Sequence, residues 1–346
     1  MTGQTKSNPG IVFWLFGSCF LIWLMIMLGG ATRLTHSGLS IVEWKPIVGI
    51  LPPLTQTAWL EEFAKYQQFP EYQLVNQGMS LAEFKFIYFM EYAHRLLGRL
   101  IGLFFFIPLA YFWARGQLSS RLKKLSLVVA VLGLAQGFMG WYMVKSGLVK
   151  NPSVSHYRLT AHLFLALLLF SLIFFAGLRS LYPREKIPQD SKKSGKMLVH
   201  LSALMALLTM IYGGFVAGLK AGLMYNTYPL MGGELIPYEW AHLSPVWLNF
   251  LENAATVQWT HRTLALITVI LVTTSMIQIL RFNYGKVVKD TAKLMIVAII
   301  FQFTLGILTL LHQVPVSLGT LHQGTAVVVL SLLLLIIYNL NRRAYE

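Results

Sequence analysis

The chain has 346 residues, of which 56% are apolar and only 12% are charged, and its formal net charge is +15. Soluble domains carry about 25% charged residues, so this composition indicates that much of the fold faces lipid rather than water. The Lys and Arg residues lie in short segments between apolar runs, a distribution typical of membrane topology signals, and the positive charge therefore does not indicate a nucleic acid partner.

Eight apolar runs long enough to cross a bilayer follow one another along the chain. A helical span needs about 20 predominantly apolar residues, and such runs lie at 11–31, 86–114, 124–144, 156–178, 197–218, 256–280, 293–312 and 318–340. The only cysteine, Cys19, lies in the first run, which excludes a disulfide framework and a CxxC pair. No cleavable signal or Arg-rich transit peptide precedes this run, which favours a bacterial inner membrane. The sequence therefore predicts an all-α integral membrane fold.

Basic residues predict the orientation of the spans. They cluster after the second, fourth, sixth and eighth spans, and the clusters are Arg115, Arg121, Lys123 and Lys124; Arg179, Arg184, Lys186, Lys192, Lys193 and Lys196; Arg281, Lys286, Lys289 and Lys293; and Arg342 and Arg343. Positive charge marks cytoplasmic segments, so we expect both termini in the cytoplasm. The two long outer loops, 32–85 and 219–255, are rich in Gly, Pro, Trp and Tyr, which predicts packed lids rather than linkers.

An internal repeat divides the chain. A Gly-Gly pair occurs at 29–30 and again at 213–214, and the dipeptide His-Arg occurs at 94–95 and again at 261–262. Each half contains four predicted spans and begins in the cytoplasm, so the repeats are parallel and related by an axis along the membrane normal. We therefore expect two pseudo-symmetric four-helix bundles, at residues 1–190 and 191–346.

One histidine heads each even-numbered span, and the four are His94, His162, His261 and His322. Each precedes the basic residue that closes its span by about 17–21 residues, which predicts a similar depth for all four, near the periplasmic face. Two imidazoles from facing helices of a bundle can bind one heme iron, so the pattern predicts two hemes. A headgroup-facing role is the alternative for each histidine taken singly. A zinc site is disfavoured because the sequence has no HExxH motif.

A carboxylate distinguishes the two halves. Glu91 lies three residues before His94 and so on the same helix face, whereas the matching position in the second half holds Gln258. This asymmetry predicts that one heme is chemically modified and that the other only carries electrons. The alternative is a structural ion pair of Glu91 with Arg95. Arg95 and Arg99 are predicted propionate contacts, because the Arg fork matches carboxylates, and interfacial snorkelling is the alternative for each.

Several longer motifs resemble those of one family. They are GGATRLTHSGLSIVEWKPIVGILPP at 29–53, EYAHRLLGR at 91–99, NTYPLM at 226–231, QWTHR at 258–262 and LHQGTA at 321–326. In these motifs and their spacing the chain resembles the heme A synthases over essentially its whole length. Residues 32–85 contain no cysteine, so the chain is similar to the cysteine-free type of proteobacteria and mitochondria.

The resemblance implies an activity and roles for individual residues. Heme A synthases oxidise the C8 methyl group of heme O to a formyl group, with water as the oxygen source, and supply heme A to cytochrome c oxidase. By analogy, His94 and His162 would bind the substrate heme O, His261 and His322 would bind a heme b cofactor, and Glu91 would be catalytic. Membrane lipid and heme O are the implied partners. Pathway logic adds heme O synthase and cytochrome c oxidase assembly factors, and a homo-oligomer is left open.

Two other classes of protein share parts of this pattern. A diheme b-type electron-transfer cytochrome would use the same four ligands without chemistry on a heme. Such cytochromes often place two ligands on one helix, whereas each even-numbered span here carries one. A transporter would also show paired repeats, but broken helices and polar groups at the bilayer midplane are typical of transporters, and the apolar runs here are mostly unbroken.

Overall fold

The computed structural model describes residues 8–43, 48–147, 154–182 and 193–341. The α-helices within these ranges are α1 Pro9–Leu34, α2 Gln56–Gln67, α3 Pro70–Leu74, α4 Leu81–Ala114, α5 Ser120–Gly147, α6 His156–Leu181, α7 Lys193–Gly218, α8 Asn249–Glu252, α9 Ala254–Arg281, α10 Lys286–Leu311 and α11 Val316–Leu340. Eight of them (α1, α4, α5, α6, α7, α9, α10 and α11) are long and apolar enough to cross a bilayer. The predicted spans and the all-α class are confirmed, and the chain is a multi-pass membrane protein.

Capping residues explain why several helices begin before their apolar runs. The Asn8 side chain accepts a hydrogen bond from Gly10 N at the start of α1. Ser80 and Glu83 form a reciprocal capping box that starts α4 at Leu81, five residues before the predicted position 86. Such caps satisfy the free N–H groups of the first turn, and they fix the backbone where hydropathy carries no signal.

The long helices pack in two groups of four. In the first group α1 contacts α4 and α6, and α5 contacts both α4 and α6. In the second group α7 contacts α9 and α11, and α10 contacts both α9 and α11. The groups meet where α1 contacts α11, α6 contacts α7 and α6 contacts α11. The pseudo-symmetry of the two bundles stays a prediction, and the expected boundary between residues 190 and 191 lies outside the described residues.

The first outer loop is packed, as expected for a lid. α2 covers the outer end of α4, and their contact buries Trp59, Tyr66, Phe84, Ile87 and Tyr88. This is possible because α4 begins further before its histidine than the other histidine-bearing helices do. Its histidine is the fourteenth residue of the helix, whereas those of α6, α9 and α11 are the seventh or eighth.

The second outer loop is more open. It contains two 3-10 turns, Ala221–Leu223 and Val246–Leu248, and the short α8. Leu235, Tyr238 and Trp247 expose most of their side-chain surface. Several of the basic residues used to predict orientation lie outside the described residues, and these are Arg184, Lys186, Lys192, Arg342 and Arg343.

Candidate functional site

The four predicted ligands fall into two pairs. His94 on α4 lies within electrostatic range of His162 on α6. His322 on α11 lies within the same kind of range of His261 on α9. Each group of four helices therefore contains one pair of imidazoles contributed by two helices. This is the donor set that a six-coordinate heme iron requires.

Each imidazole lies against a glycine of a neighbouring helix. A Cβ atom added to that glycine would lie only 2.8–3.4 Å from the ring, and the pairs are His94 with Gly29, His162 with Gly140, His261 with Gly213, and His322 with Gly306. A larger residue would push the ring away, so these glycines permit the close approach of helix and ligand. We call each of these glycine–imidazole contacts a glycine cradle. The four cradles and the paired imidazoles fit a protein that holds two hemes.

Two of the imidazoles are oriented by backbone or amide groups. His261 Nδ1 lies 3.1 Å from the carbonyl oxygen of Thr209 on α7. Because a carbonyl only accepts hydrogen bonds, Nδ1 carries the proton and Nε2 keeps its lone pair for a metal. His322 Nδ1 lies 3.2 Å from the side-chain amide nitrogen of Gln302 on α10. Because an amide nitrogen donates, His322 Nδ1 accepts in this contact, so only His261 shows the donated Nδ1–H that is typical of a metal ligand.

Two glutamines beside the histidines were missed by the sequence analysis. Gln136 Nε2 lies 3.4 Å from His162 Nε2, and Gln302 Nε2 donates to the backbone oxygen of His322 at 3.0 Å. Each lies four residues before the glycine that cradles the same histidine, so the motif QxxxG occurs once in each half. A search for polar residues repeated inside the apolar spans would have found them. His162 Nδ1 differs from its counterpart, because it is buried without a hydrogen-bond partner among the described residues.

Glu91 is buried, with 3% of its surface exposed. Its Oε1 accepts hydrogen bonds from Arg95 Nε at 3.0 Å and Arg95 Nη2 at 2.6 Å. Its Oε2 accepts from Ser40 Oγ and from Ile41 N, both at 2.8 Å. The structural ion pair considered as an alternative is therefore present, and it also attaches the first outer loop to α4. These contacts fix the carboxylate three residues from His94.

An arginine holds the outer loop in each half. Arg95 donates to backbone carbonyl groups of the first loop, and Arg262 donates to those of the second. The acceptors are Ile41 and Glu43 in the first loop and Tyr225 and Thr227 in the second. Ile41 and Tyr225 are 184 residues apart, and so are Glu43 and Thr227. The two Gly-Gly pairs are separated by the same number of residues. These matched contacts support the predicted pseudo-symmetry.

Two further residues singled out in the sequence, Gln258 and Arg99, lie beside the sites just described. Gln258, the counterpart of Glu91, donates through Nε2 to the carbonyl oxygen of Tyr225 at 3.0 Å. Arg99 lies one turn beyond Arg95 on α4 and is partly buried. Contacts of Arg95 and Arg99 with propionates stay predictions, since the contacts of Arg95 described above are with Glu91 and the loop.

Comparison with known proteins places this geometry in a family. The family model described as cytochrome oxidase assembly protein (COX15-CtaA) matches residues 12–334. A heme A synthase of Rhodospirillum centenum is 46% identical over 95% of this chain and 88% of its own length. Those of Nitrosospira multiformis and Rickettsia bellii are 46% and 43% identical over 96% and 93% of this chain, and over 94% and 95% of their own lengths.

The chain belongs to the heme A synthase family. The match includes both histidine pairs, their glycine cradles, Glu91 and both outer loops, since all lie between residues 12 and 334. Membership in the heme A synthase family makes this an oxidoreductase of heme A biosynthesis in a membrane. The expectation drawn from the motifs is confirmed at that level.

Proposed function

We propose that this chain oxidises the C8 methyl group of heme O to a formyl group and so forms heme A, with water as the oxygen source. The observation that carries the proposal is the asymmetry between the two imidazole pairs. Glu91 lies three residues from His94, whereas Gln258 takes the same position relative to His261. A carboxylate therefore stands beside one imidazole pair and a neutral amide beside the other, as expected if only one of the two sites modifies its heme.

The first half is the proposed substrate site, with His94 and His162 as ligands, and the second half holds heme b through His261 and His322. Hydrogen bonding supports this division. His261 Nδ1 donates to the carbonyl oxygen of Thr209, as is typical of a ligand that holds a resident metal, whereas His162 Nδ1 has no hydrogen-bond partner among the described residues. Bound heme b would supply one-electron redox chemistry.

The negative charge of Glu91 assists the oxidation of the methyl group. Oxidation of the methyl group to a formyl group takes its oxygen from one water, releases four protons and removes four electrons, which would leave one at a time through heme b to an external electron acceptor. Positive charge develops beside the ring during this oxidation. A fixed carboxylate stabilises that charge or accepts a proton from water. Ser40, Ile41 and Arg95 hold Glu91 in place, so little reorganisation is needed during the reaction.

The location and partners follow from the same proposal. Both termini lie in the cytoplasm and both sites lie toward the periplasmic side of the bacterial inner membrane. Heme O synthase would supply the substrate, and cytochrome c oxidase assembly factors would receive the product. A diheme electron-transfer cytochrome is the second function that the four histidines allow.

The proposal is tested by extracting hemes from the purified protein and from a Glu91→Gln variant, then separating them by chromatography. The wild type should contain heme b together with heme O, a hydroxylated intermediate or heme A. Glu91→Gln should retain heme b and heme O but form no heme A, because it loses the charge and keeps the shape. Gln258→Glu is the matched control, and it should still form heme A.

Three outcomes would contradict parts of this proposal. A wild-type yield of heme A from Glu91→Gln would remove Glu91 from the mechanism. Heme b as the sole heme at both sites would favour the electron-transfer cytochrome. Absence of heme from the purified wild type would reject the assignment of the four histidines as heme ligands.

A further inference from the structure

The outer end of α5 differs from its counterpart in the second half. Alignment of the two QxxxG motifs matches Gly140 on α5 with Gly306 on α10. Beyond these glycines, α5 carries Trp141, Tyr142 and Lys145, and the matching residues of α10 are Ile307, Leu308 and Leu311. The proposed substrate half therefore has a cation and two aromatic rings where the cofactor half has aliphatic side chains.

Two cations at this end of the first half rest on those rings. Lys145 Nζ lies 5.0 Å from the centre of the Trp141 ring. Arg158 Cζ, on the first turns of α6, lies 4.6 Å from the centre of the Tyr142 ring. A cation over an aromatic face is held more weakly than one that donates a charge-assisted hydrogen bond to a carboxylate. Each of these cations can therefore leave its aromatic ring and bind an anionic ligand instead.

A cavity of about 260 Å³ opens beside Lys145. Trp141 and Lys145 of α5, Arg95 of α4 and residues 41–43 of the first outer loop contribute to its lining. Its acidic lining residue, Glu43, is paired with Lys65 at 3.1 Å, and Arg95 is paired with Glu91 at 2.6 Å, whereas Lys145 is the lining cation that rests on a ring. The cavity lies beside Arg95, one residue after the proposed ligand His94, and its lining favours an anion.

We propose that Lys145 and Arg158 bind the propionate carboxylates of the substrate heme at the outer mouth of the first half. The inference rests on the proposed function, because it takes heme O as the ligand of this half. Heme O is an apolar macrocycle with two propionates, and cations at the outer end of α5 and α6 can bind these carboxylates as the substrate enters the first half. The aliphatic residues at the matching positions of α10 agree with this division.

The test compares heme O with its dimethyl ester, in which both propionates are esterified and the iron is unchanged. Both are titrated into the purified full-length protein, and binding is followed by the Soret absorption band. We expect the wild type to bind heme O about tenfold or more tightly than the ester. Lys145→Gln should lose most of this preference and bind the ester with wild-type affinity. Arg158→Gln should show the same selective loss.

Lys123→Gln is the matched control, because Lys123 Nζ also rests on a tryptophan ring, that of Trp113, at 5.3 Å and at the opposite end of the first half. This variant should keep the full preference for heme O. If Lys145→Gln weakens heme O and ester equally, or weakens neither, Lys145 does not bind the propionates and the inference is overturned.

The titration measures heme binding and not heme A formation. It can therefore reject the propionate site without rejecting the synthase activity, and the reverse also holds. A wild type that prefers heme O over its ester through Lys145 but forms no heme A would support the site and reject the proposed function. A wild type that forms heme A and shows no preference between acid and ester would support the function and reject the site.

Discussion

Glu71 places a carboxyl group inside the aromatic core of the first outer loop. It lies on α3 with 6% of its surface exposed, and its Oε2 lies 3.4 Å from the hydroxyl group of Tyr66. Burial, reinforced by the negative charge of Glu91, raises the pKa of Glu71 to about 8, and the hydrogen bond from Tyr66 opposes the shift only in part. The folded loop therefore favours the neutral acid.

This shift predicts a pH-dependent stability. The unfolded chain releases the Glu71 proton near the ordinary carboxyl pKa, while the folded chain retains it up to about pH 8, so stability should fall as pH rises between these two values. Across the whole interval the loss should be on the order of 5 kcal/mol. We expect the Tm of the detergent-solubilised protein to fall from about pH 5 to pH 8, and Glu71→Gln should flatten this slope.

The control for this measurement is Glu61→Gln, which alters an exposed glutamate of α2 in the same loop. Its Tm should follow the wild-type pH dependence. A wild-type Tm that is constant across this pH range would show that Glu71 makes no such contribution.

At the scale of helices, the glycine cradles give a second prediction. A Cβ atom on Gly306 of α10 would lie 2.8 Å from Cε1 of His322, so Gly306→Ala should displace this ring. We expect the variant to lose most of the heme b of the second half, measured as the pyridine hemochrome of the purified protein. Gly137→Ala on α5 is the control, because a Cβ there meets no atom within 4 Å. Full heme b content in Gly306→Ala would show that the cradle is not required.

Sequence predicts the long helices well because lipid imposes one strong requirement, a run of about 20 apolar residues. It does not predict α2 and α3, which are short and lie in a loop, although Thr55 and Pro70 are recognisable start signals. The contacts of Arg95 and Arg262 with the two outer loops were also beyond prediction. Their acceptors are backbone carbonyl groups, which every residue supplies, so the loop sequences carry no sign of them.

The residues of the two histidine sites were predictable in part from the sequence. The four histidines and Glu91 stand out because polar residues in apolar spans are costly and therefore rare. The pairing of His94 with His162 and of His261 with His322 was inferred from the repeat, and the structure brings those pairs together. Lys145 was not distinguished from other basic residues for two reasons. The cavity beside it is visible only in the structure, and its contrast with Leu311 appears only when α5 is aligned with α10 on the QxxxG motifs.

For the whole molecule, the proposed orientation gives a further prediction. Alkaline phosphatase, which is active only outside the cytoplasm, should be active when inserted after Leu235 in the exposed second outer loop. The same enzyme should be inactive when fused to the C-terminus, because positive charge holds that end in the cytoplasm. Green fluorescent protein at the C-terminus should fluoresce and so report that the fusion is made. Phosphatase activity at the C-terminus would reverse the proposed orientation and place both heme sites toward the cytoplasm.

The two halves are joined by specific contacts between helices. Arg33 on α1 donates to the carbonyl oxygen of Ala217 at the end of α7 at 3.0 Å. Trp23 Nε1 donates to the carbonyl oxygen of Gly324 on α11 at 2.9 Å. Gln323 Nε2 donates to the carbonyl oxygen of Ile26 on α1 at 3.1 Å. The first bond ties α1 to α7, and the other two tie α1 to α11, the helix that carries His322.

The adjacent glycines of α1 have a consequence for electron transfer. Gly29 lies against the imidazole of His94, and Gly30 lies against the side chain of Gln323, the neighbour of His322. Two adjacent glycines of α1 thus lie between a ligand of one pair and the neighbour of a ligand of the other. Electron tunnelling slows steeply as the protein between donor and acceptor thickens, so the absence of side chains at Gly29 and Gly30 would shorten the path for an electron that leaves the first pair for the second.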